Sequence, residues 1–180
     1  MACAITDGYK QTNCPLPTPG AYQTVYFANL ADIVSWTQTA NENEYDAITF
    51  DAGAGLYKFQ VQRDSVIFRE EKQEEENGAI NYTQECTFRV MDMGIEARNR
   101  IDEMNGVDLV AVVRSKADTF HIVGFDNGAR LAVNVRSTES ADLGQLVTVR
   151  AINQPGLAKH FLDTDVATTL ATLEGYVVGS

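Results

Sequence analysis

The chain has 180 residues, 44% of them hydrophobic and 22% charged, a balance that fits one ordinary globular domain and excludes disorder throughout. A chain of this length buries roughly 70% of the surface it exposes when unfolded. With 25 Asp and Glu against 14 Lys and Arg the formal charge is −11. A surface so acidic repels phosphates, which excludes a nucleic-acid binder working by charge attraction.

No segment approaches the roughly 18 consecutive apolar residues of a membrane span. Residues 1–10 lack the basic stretch and apolar run of a secretory signal, so none is expected. Cys3, Cys14 and Cys86 are odd in number and without CxxC spacing, so free thiols in a reducing compartment are the simpler reading.

The chain opens with Pro15, Pro17, Pro19 and Gly20. Each proline lacks an N–H and pushes its predecessor to extended geometry, so residues 1–20 read as an extended N-terminal arm. A β domain is expected over 21–155. Its first strand runs over 22–30, Trp36 lies in a polar stretch, 41–44 is a turn, and 45–50 is the next strand. Gly53 and Gly55 mark another turn.

Residues 56–91 read as one long hairpin. Tyr57, Phe59 and Val61 alternate with polar residues on the outgoing arm. The phase then shifts to Val66 and Phe68, as if a bulge at 63–65 switched the face. Ile80, Tyr82, Cys86, Phe88 and Val90 share one parity on the return. Between the arms, five glutamates from Glu70 to Glu76 precede the turn signal Asn77-Gly78.

Asp92 is placed to cap a helix over 93–105, whose apolar face is Met93, Ala97, Ile101 and Met104. Glu96 precedes Arg100 by four residues as a surface pair, and Asn105-Gly106 ends the helix. Four strands follow over 107–114, 119–125, 130–136 and 145–152. The sum is a mainly β fold: an antiparallel rolled sheet, sandwich or barrel, with one flanking α-helix, a long β-hairpin and extended terminal arms. Residues 156–180 are expected to be a C-terminal arm, because Thr164, Thr168, Thr169 and Thr172 lower the helicity of a weakly amphipathic stretch.

Catalytic chemistry is sparse. An active site needs a nucleophile, a base and an electrophilic stabiliser brought together, and the chain has only two histidines. His121 suits a sheet position and His160 a surface one. Gly53-Ala54-Gly55 precedes a strand, whereas a phosphate cradle opens a helix. Asp126-Asn127-Gly128 and Asp163-Thr164-Asp165 supply too few oxygens for calcium. The sequon Asn81-Tyr82-Thr83 needs a secretory route that the chain gives no sign of. No catalytic residue, cofactor site or metal site is expected.

The hairpin offers the strongest candidate contact. A two-stranded ribbon is barely stable alone, so Val66, Phe68, Ile80 and Tyr82 need a packing partner, and a projecting ribbon finds it on another chain. Glu70, Glu74 and Glu76 complete the expected inter-subunit surface, reaching Arg63, Arg69, Arg114 or Arg136 of a neighbour. The plainer reading is a solvated tip.

Arm, strands, hairpin, helix, strands and arm in this order resemble the tail-tube and connector-ring proteins of tailed bacteriophages. Residues 14–20 together with the stretch 27–33, Phe-Ala-Asn-Leu-Ala-Asp-Ile, are similar to the start of small structural proteins of crAss-like phages. The resemblance implies a structural virion protein, not an enzyme. It implies a homo-oligomeric ring in the tail or neck, made in the host cytoplasm, that contacts neighbouring tail or portal proteins. It also implies that DNA passes the lumen without specific binding, and that no membrane is involved. Two rivals stand beside it. One is a small-molecule-binding β-barrel lined by Tyr26, Trp36, Tyr57 and Phe59. The other is a cytosolic enzyme without a recognisable motif.

Overall fold

The computed structural model describes residues 21–62, 64–76, 78–139 and 144–178, so the arm expected over 1–20 lies outside the described residues. In chain order the elements are β1 (Ala21–Asn29), β2 (Ile33–Gln38), β3 (Glu44–Phe50), β4 (Tyr57–Gln60), β5 (Ile67–Glu74), β6 (Ile80–Val90), α1 (Ile95–Asp102), β7 (Leu109–Ser115), β8 (Phe120–Val123), β9 (Arg130–Ser137), β10 (Gly144–Gln154), β11 (Lys159–Phe161) and α2 (Val166–Gly175). They form a seven-stranded sheet, β2-β3-β11-β8-β7-β1-β4, and a four-stranded sheet, β5-β6-β10-β9. The fold is mainly β and sandwich-like, and neither sheet closes into a barrel.

The apolar pattern explains the layering. Leu109 to Val113 of β7 are buried without a break, as are Val25 to Ala28 of β1. Continuous burial in place of alternation requires cover on both faces of a sheet. On one face Val25, Phe27, Ala111, Val113 and Val123 meet Cys86, Phe88, Val147 and Val149 of the smaller sheet, with Ile101 of α1 and Met104 just after it in the same cluster. On the other face Tyr26, Val110, Val112, Ile122 and Phe161 lie beneath Leu173 of α2. The molecule is thus three layers: α2, the large sheet and the small sheet.

Residues 56–91 are not one hairpin. The hairpin is β5–β6 alone, in register from Ile67↔Thr87 to Glu74↔Ile80. The alternating segment 57–60 is β4, which pairs with β1 in the other sheet, Val25 opposite Phe59. The phase change therefore marks the passage from β4 in one sheet to β5 in the other, not a bulge within one ribbon.

The C-terminal arm is also corrected. His160 and Phe161 pair in parallel with Glu44 and Tyr45 of β3, while Lys159 and His160 pair antiparallel with β8. Residues 159–161 are therefore an interior strand. The four threonines do not prevent α2, because local bonds support it. Asp165 at the N-cap accepts from Thr168 N–H at 2.7 Å, the cap that such a residue provides. The Thr172 hydroxyl donates to Asp163 at 2.7 Å. Phe161 and Leu173 are fully buried.

Two smaller differences concern caps and edges. Trp36 sits in a strand, β2, at the edge of the large sheet. Gly94, not Asp92, caps α1, and Asp92 Oδ1 accepts the Gly94 N–H at 2.7 Å. Arg100 pairs with Glu103 at 3.3 Å and not with Glu96.

Gly53-Ala54-Gly55 is a turn that lets β4 meet the chain terminus. Leu56 N–H donates to Tyr176 O at 2.8 Å and Val178 N–H to Leu56 O at 2.9 Å. A Cβ on Gly55 would lie 2.3 Å from that Tyr176 carbonyl oxygen. Gly55→Ala is therefore expected to destabilise the chain by about 1–3 kcal/mol, the usual cost of forcing atoms into a filled site. A lowered urea midpoint at unchanged slope would register it.

Candidate functional site: an open-edged sheet and its hairpin

The small sheet ends in two strands that have no further strand beside them among the described residues, β5 and β9. Each is eight residues long. All three pairings in this sheet are antiparallel, so β5 and β9 run in opposite directions. Their charges also differ. β9 carries Arg130 and Arg136 and no acid, whereas β5 carries Glu70, Glu71 and Glu74 against Arg69 and Lys72.

The register places one row of residues across the outer face: Ile67, Thr87, Thr148 and Val133. The Thr87 and Thr148 hydroxyls bond at 2.9 Å. Beside this row Leu146 lies opposite Val135, and Arg150 is bonded to Glu85. Ile67 is 58% exposed and Val135 52% exposed, one on each open strand. A row of unpaired N–H and C=O groups with such residues is a template for another strand.

The seven residues expected at a subunit contact separate into three groups. Val66 is only 1% exposed within the core between the sheets, so it is internal packing and not a contact surface. Phe68, Glu70 and Tyr82 are half-buried. The Phe68 ring stacks on His121 at 4.5 Å with 13° between planes, and Glu70 accepts the Ala158 N–H. Glu74, Glu76 and Ile80 are exposed at the tip. Of the cations named as their targets, Arg63 lies outside the described residues. Arg114 stacks on Tyr22 at 3.9 Å and holds Asp118 at 2.6 Å. Arg69 pairs with Glu71 at 3.0 Å, and Arg136 donates to Met93 O at 2.6 Å.

The histidines meet. His121 and His160 are cross-strand partners with ring centroids 4.9 Å apart. Burial, and then the second imidazole, push His121 from its ordinary 6.5 down to about 4. Burial lifts the Cys86 thiol to about 12, so it is inert packing. Lys58 and then Tyr26 hold Glu174 below the usual carboxylate range. Burial, followed by the Glu174 carboxylate, raises the Tyr26 hydroxyl.

Clefts open at two places among the described residues. A groove of about 730 Å³ between α1, β1 and β4 is floored by Phe27, Phe59, Ile101 and Met104. A second cleft of about 500 Å³ lies between Tyr22, Arg114, Lys116 and Glu174. The four aromatic side chains expected around one ligand do not converge. Tyr57 and Phe59 border the groove, Tyr26 borders the other cleft, and Trp36 packs on Phe125 at 5.0 Å. Among the described residues no three His, Cys, Asp or Glu side chains gather to hold a metal. No helix among them is long and apolar enough to cross a membrane.

Sequence reasoning found β9 but not its position at an open edge. The available signal was composition: RLAVNVRS carries two arginines and no acid in a chain of net charge −11. Comparison with protein-family models, curated proteins and solved structures finds no match for this chain.

Proposed function

We propose that the protein is a structural subunit that assembles with copies of itself, head to tail, into the ring of a phage tail or neck. The observation that carries this reading is the pair of open strands on one sheet, opposite in direction and in charge. β9 of one copy set beside β5 of the next continues the sheet antiparallel, and brings a strand with two arginines, Arg130 held by Asp108 and Arg136 by the Met93 carbonyl, beside an acidic one. Main-chain hydrogen bonds of added strands supply affinity in such contacts. A heterologous contact of this kind gives a ring where its rotation closes, and an open filament where it does not. The exposed tip, with Glu74, Glu76 and Ile80, projects toward whatever lies above or below the ring.

The outer face of the small sheet is the wall such a ring offers to a lumen or its exterior. It carries Arg69, Arg89, Arg130 and Arg150 against Glu71 and Glu85, and Arg69, Arg130 and Arg150 are held by Glu71, Asp108 and Glu85, so little of its charge is left on display. A wall of that kind lets DNA pass by not gripping it, and the acidic repulsion expected from the net charge resides elsewhere. Light scattering and negative-stain images of concentrated protein are expected to show closed multiples of the 19.8 kDa chain. Monomer alone at high concentration, with no binding to tail or portal proteins, would remove the reading.

A second reading rests on the groove under α1. Its volume falls in the range of roughly 300–1,000 Å³ typical of ligand pockets, and Phe27, Phe59 and Ile101 make its floor apolar. In that reading a compact apolar ligand raises the melting temperature of the monomer, and Phe59→Ala abolishes the rise.

A further inference from the structure

The base of the hairpin is clamped where the two sheets meet. Phe68 on the edge strand β5 lies flat on His121 of β8, rings 4.5 Å apart, and His121 in turn lies 4.9 Å from His160 of β11. We propose that this stack is an acid-sensitive latch: a proton taken up by His121 frees β5 from the seam between β8 and β11 while the rest of the sandwich stays folded. The inference goes beyond the ring reading and does not depend on it.

The surroundings of His121 explain why it resists a charge. On its own strand Thr119 Oγ1 lies 3.1 Å from Nε2. Its partner on β7 is Val113, which is neutral, and the head of the adjacent Arg114 is turned to Tyr22 and Asp118. On β11 His160 is the like charge directly opposite. From the hairpin comes Phe68, whose face of β5 also carries Glu70 and Lys72, opposite Gln84 and Tyr82 of β6. The Glu70 carboxylate is engaged by the Ala158 N–H, and Gln84 accepts the Gly124 N–H at 3.0 Å. A cation over the Phe68 face gains some attraction. Burial and His160 outweigh it, since the net push on His121 is downward, to about 4.

The sign follows. The folded value lies below the unfolded one, so the stabilisation is complete above about 6.5 and is lost as pH falls toward about 4. What yields is decided by the neighbours. β11 is held on both sides, by β3 and β8, and its Phe161 is fully buried. β5 is bonded on one side only, to β6. Beyond Gln84 the hairpin also loses most of its support from β10, whose last partner on β6 is Tyr82. The strand that gives way to hydrate an imidazolium is β5.

Hydrogen exchange on the dilute full chain, at about pH 7 and about pH 4 with intrinsic rates corrected, tests this. Amides of residues 68–74 are expected to lose protection by on the order of tenfold or more at the lower pH, while those of β7 keep theirs. His121→Gln is expected to remove that pH dependence. His160→Gln is expected to weaken the release, because without the opposing charge the folded value of His121 lies closer to the unfolded one and less stabilisation is lost on protonation. The idea is overturned by hairpin amides equally protected at both pH values, or by β7 losing protection together with β5. It is also overturned if His121→Gln still releases at the original pH. If that variant does not fold, an undiminished loss of protection in His160→Gln at about pH 4 decides against the latch.

Discussion

A chain ending at Gly156 is expected to lose its cooperative fold altogether. The cut removes β11 from between β3 and β8, which splits the large sheet, and it removes α2, which covers that sheet's outer face. Phe161 and Leu173 are fully buried, with Val166, Leu170 and Tyr176 packed against the same cluster. Burying each such side chain contributes roughly 1.5–3 kcal/mol, so their sum rivals the whole stability of a domain, about 5–15 kcal/mol. The unpaired edges of β3 and β8 add to the loss. A milder variant, Phe161→Ala, is expected to cost about 3–5 kcal/mol, the usual range for a buried phenylalanine. Far-UV circular dichroism and urea titration read both. A truncated chain with the native spectrum and a cooperative transition would restore the view of 156–180 as a detachable arm. In the full chain, limited proteolysis after Gly156 is expected to be slow.

The difference between arm and core strand shows where sequence patterns stop being informative. Runs such as Leu109 to Val113 are legible because burial on both faces leaves no room for a polar residue. The helix at Ile101 is legible because its period is helical, although it runs over Ile95–Asp102 and ends before the stop signal Asn105-Gly106. β11 is three residues long, shorter than any window in which period can be judged, and its parallel pairing with β3 is a tertiary fact. β4 alternates as a strand should, but alternation does not name the partner; β1 and a hairpin mate ask for the same pattern. β2 was hidden because Val34 is 60% exposed and only Ile33 and Trp36 reach a packed cluster, so the edge strand looks polar. For the candidate site the exposed tip was readable from its glutamates. The inward turn of Val66 and the stacking of Phe68 on His121 were not, because both depend on where the chain crosses between sheets.

That placement also decides how self-assembly is best tested. Replacing Phe68 by Asp would confound two effects, since the ring packs against the chain's own core. Ile67 and Val135 avoid the difficulty: they are 58% and 52% exposed, and they stand on the outer face of the two open strands. Ile67→Lys combined with Val135→Lys is expected to leave the monomer folded, because exposed substitutions change stability by only about 0.5 kcal/mol. Assembly is expected to be abolished. Lysine on an edge strand is a standard guard against strand addition, and here each junction would receive two of them, one from each copy. Like charges across strands repel, and two large apolar contacts are lost with them. A control pair, Ile67→Thr with Val135→Thr, keeps the strand preference and adds no charge, and is expected to assemble at higher concentration than the unmodified chain. Sedimentation and circular dichroism on the three proteins separate the cases. If the double lysine variant forms the same particles as the parent, the edges of the small sheet are not the joint between subunits. The open strands of the large sheet, β2 and β4, or the tip carrying Glu74, Glu76 and Ile80 would then have to supply that joint.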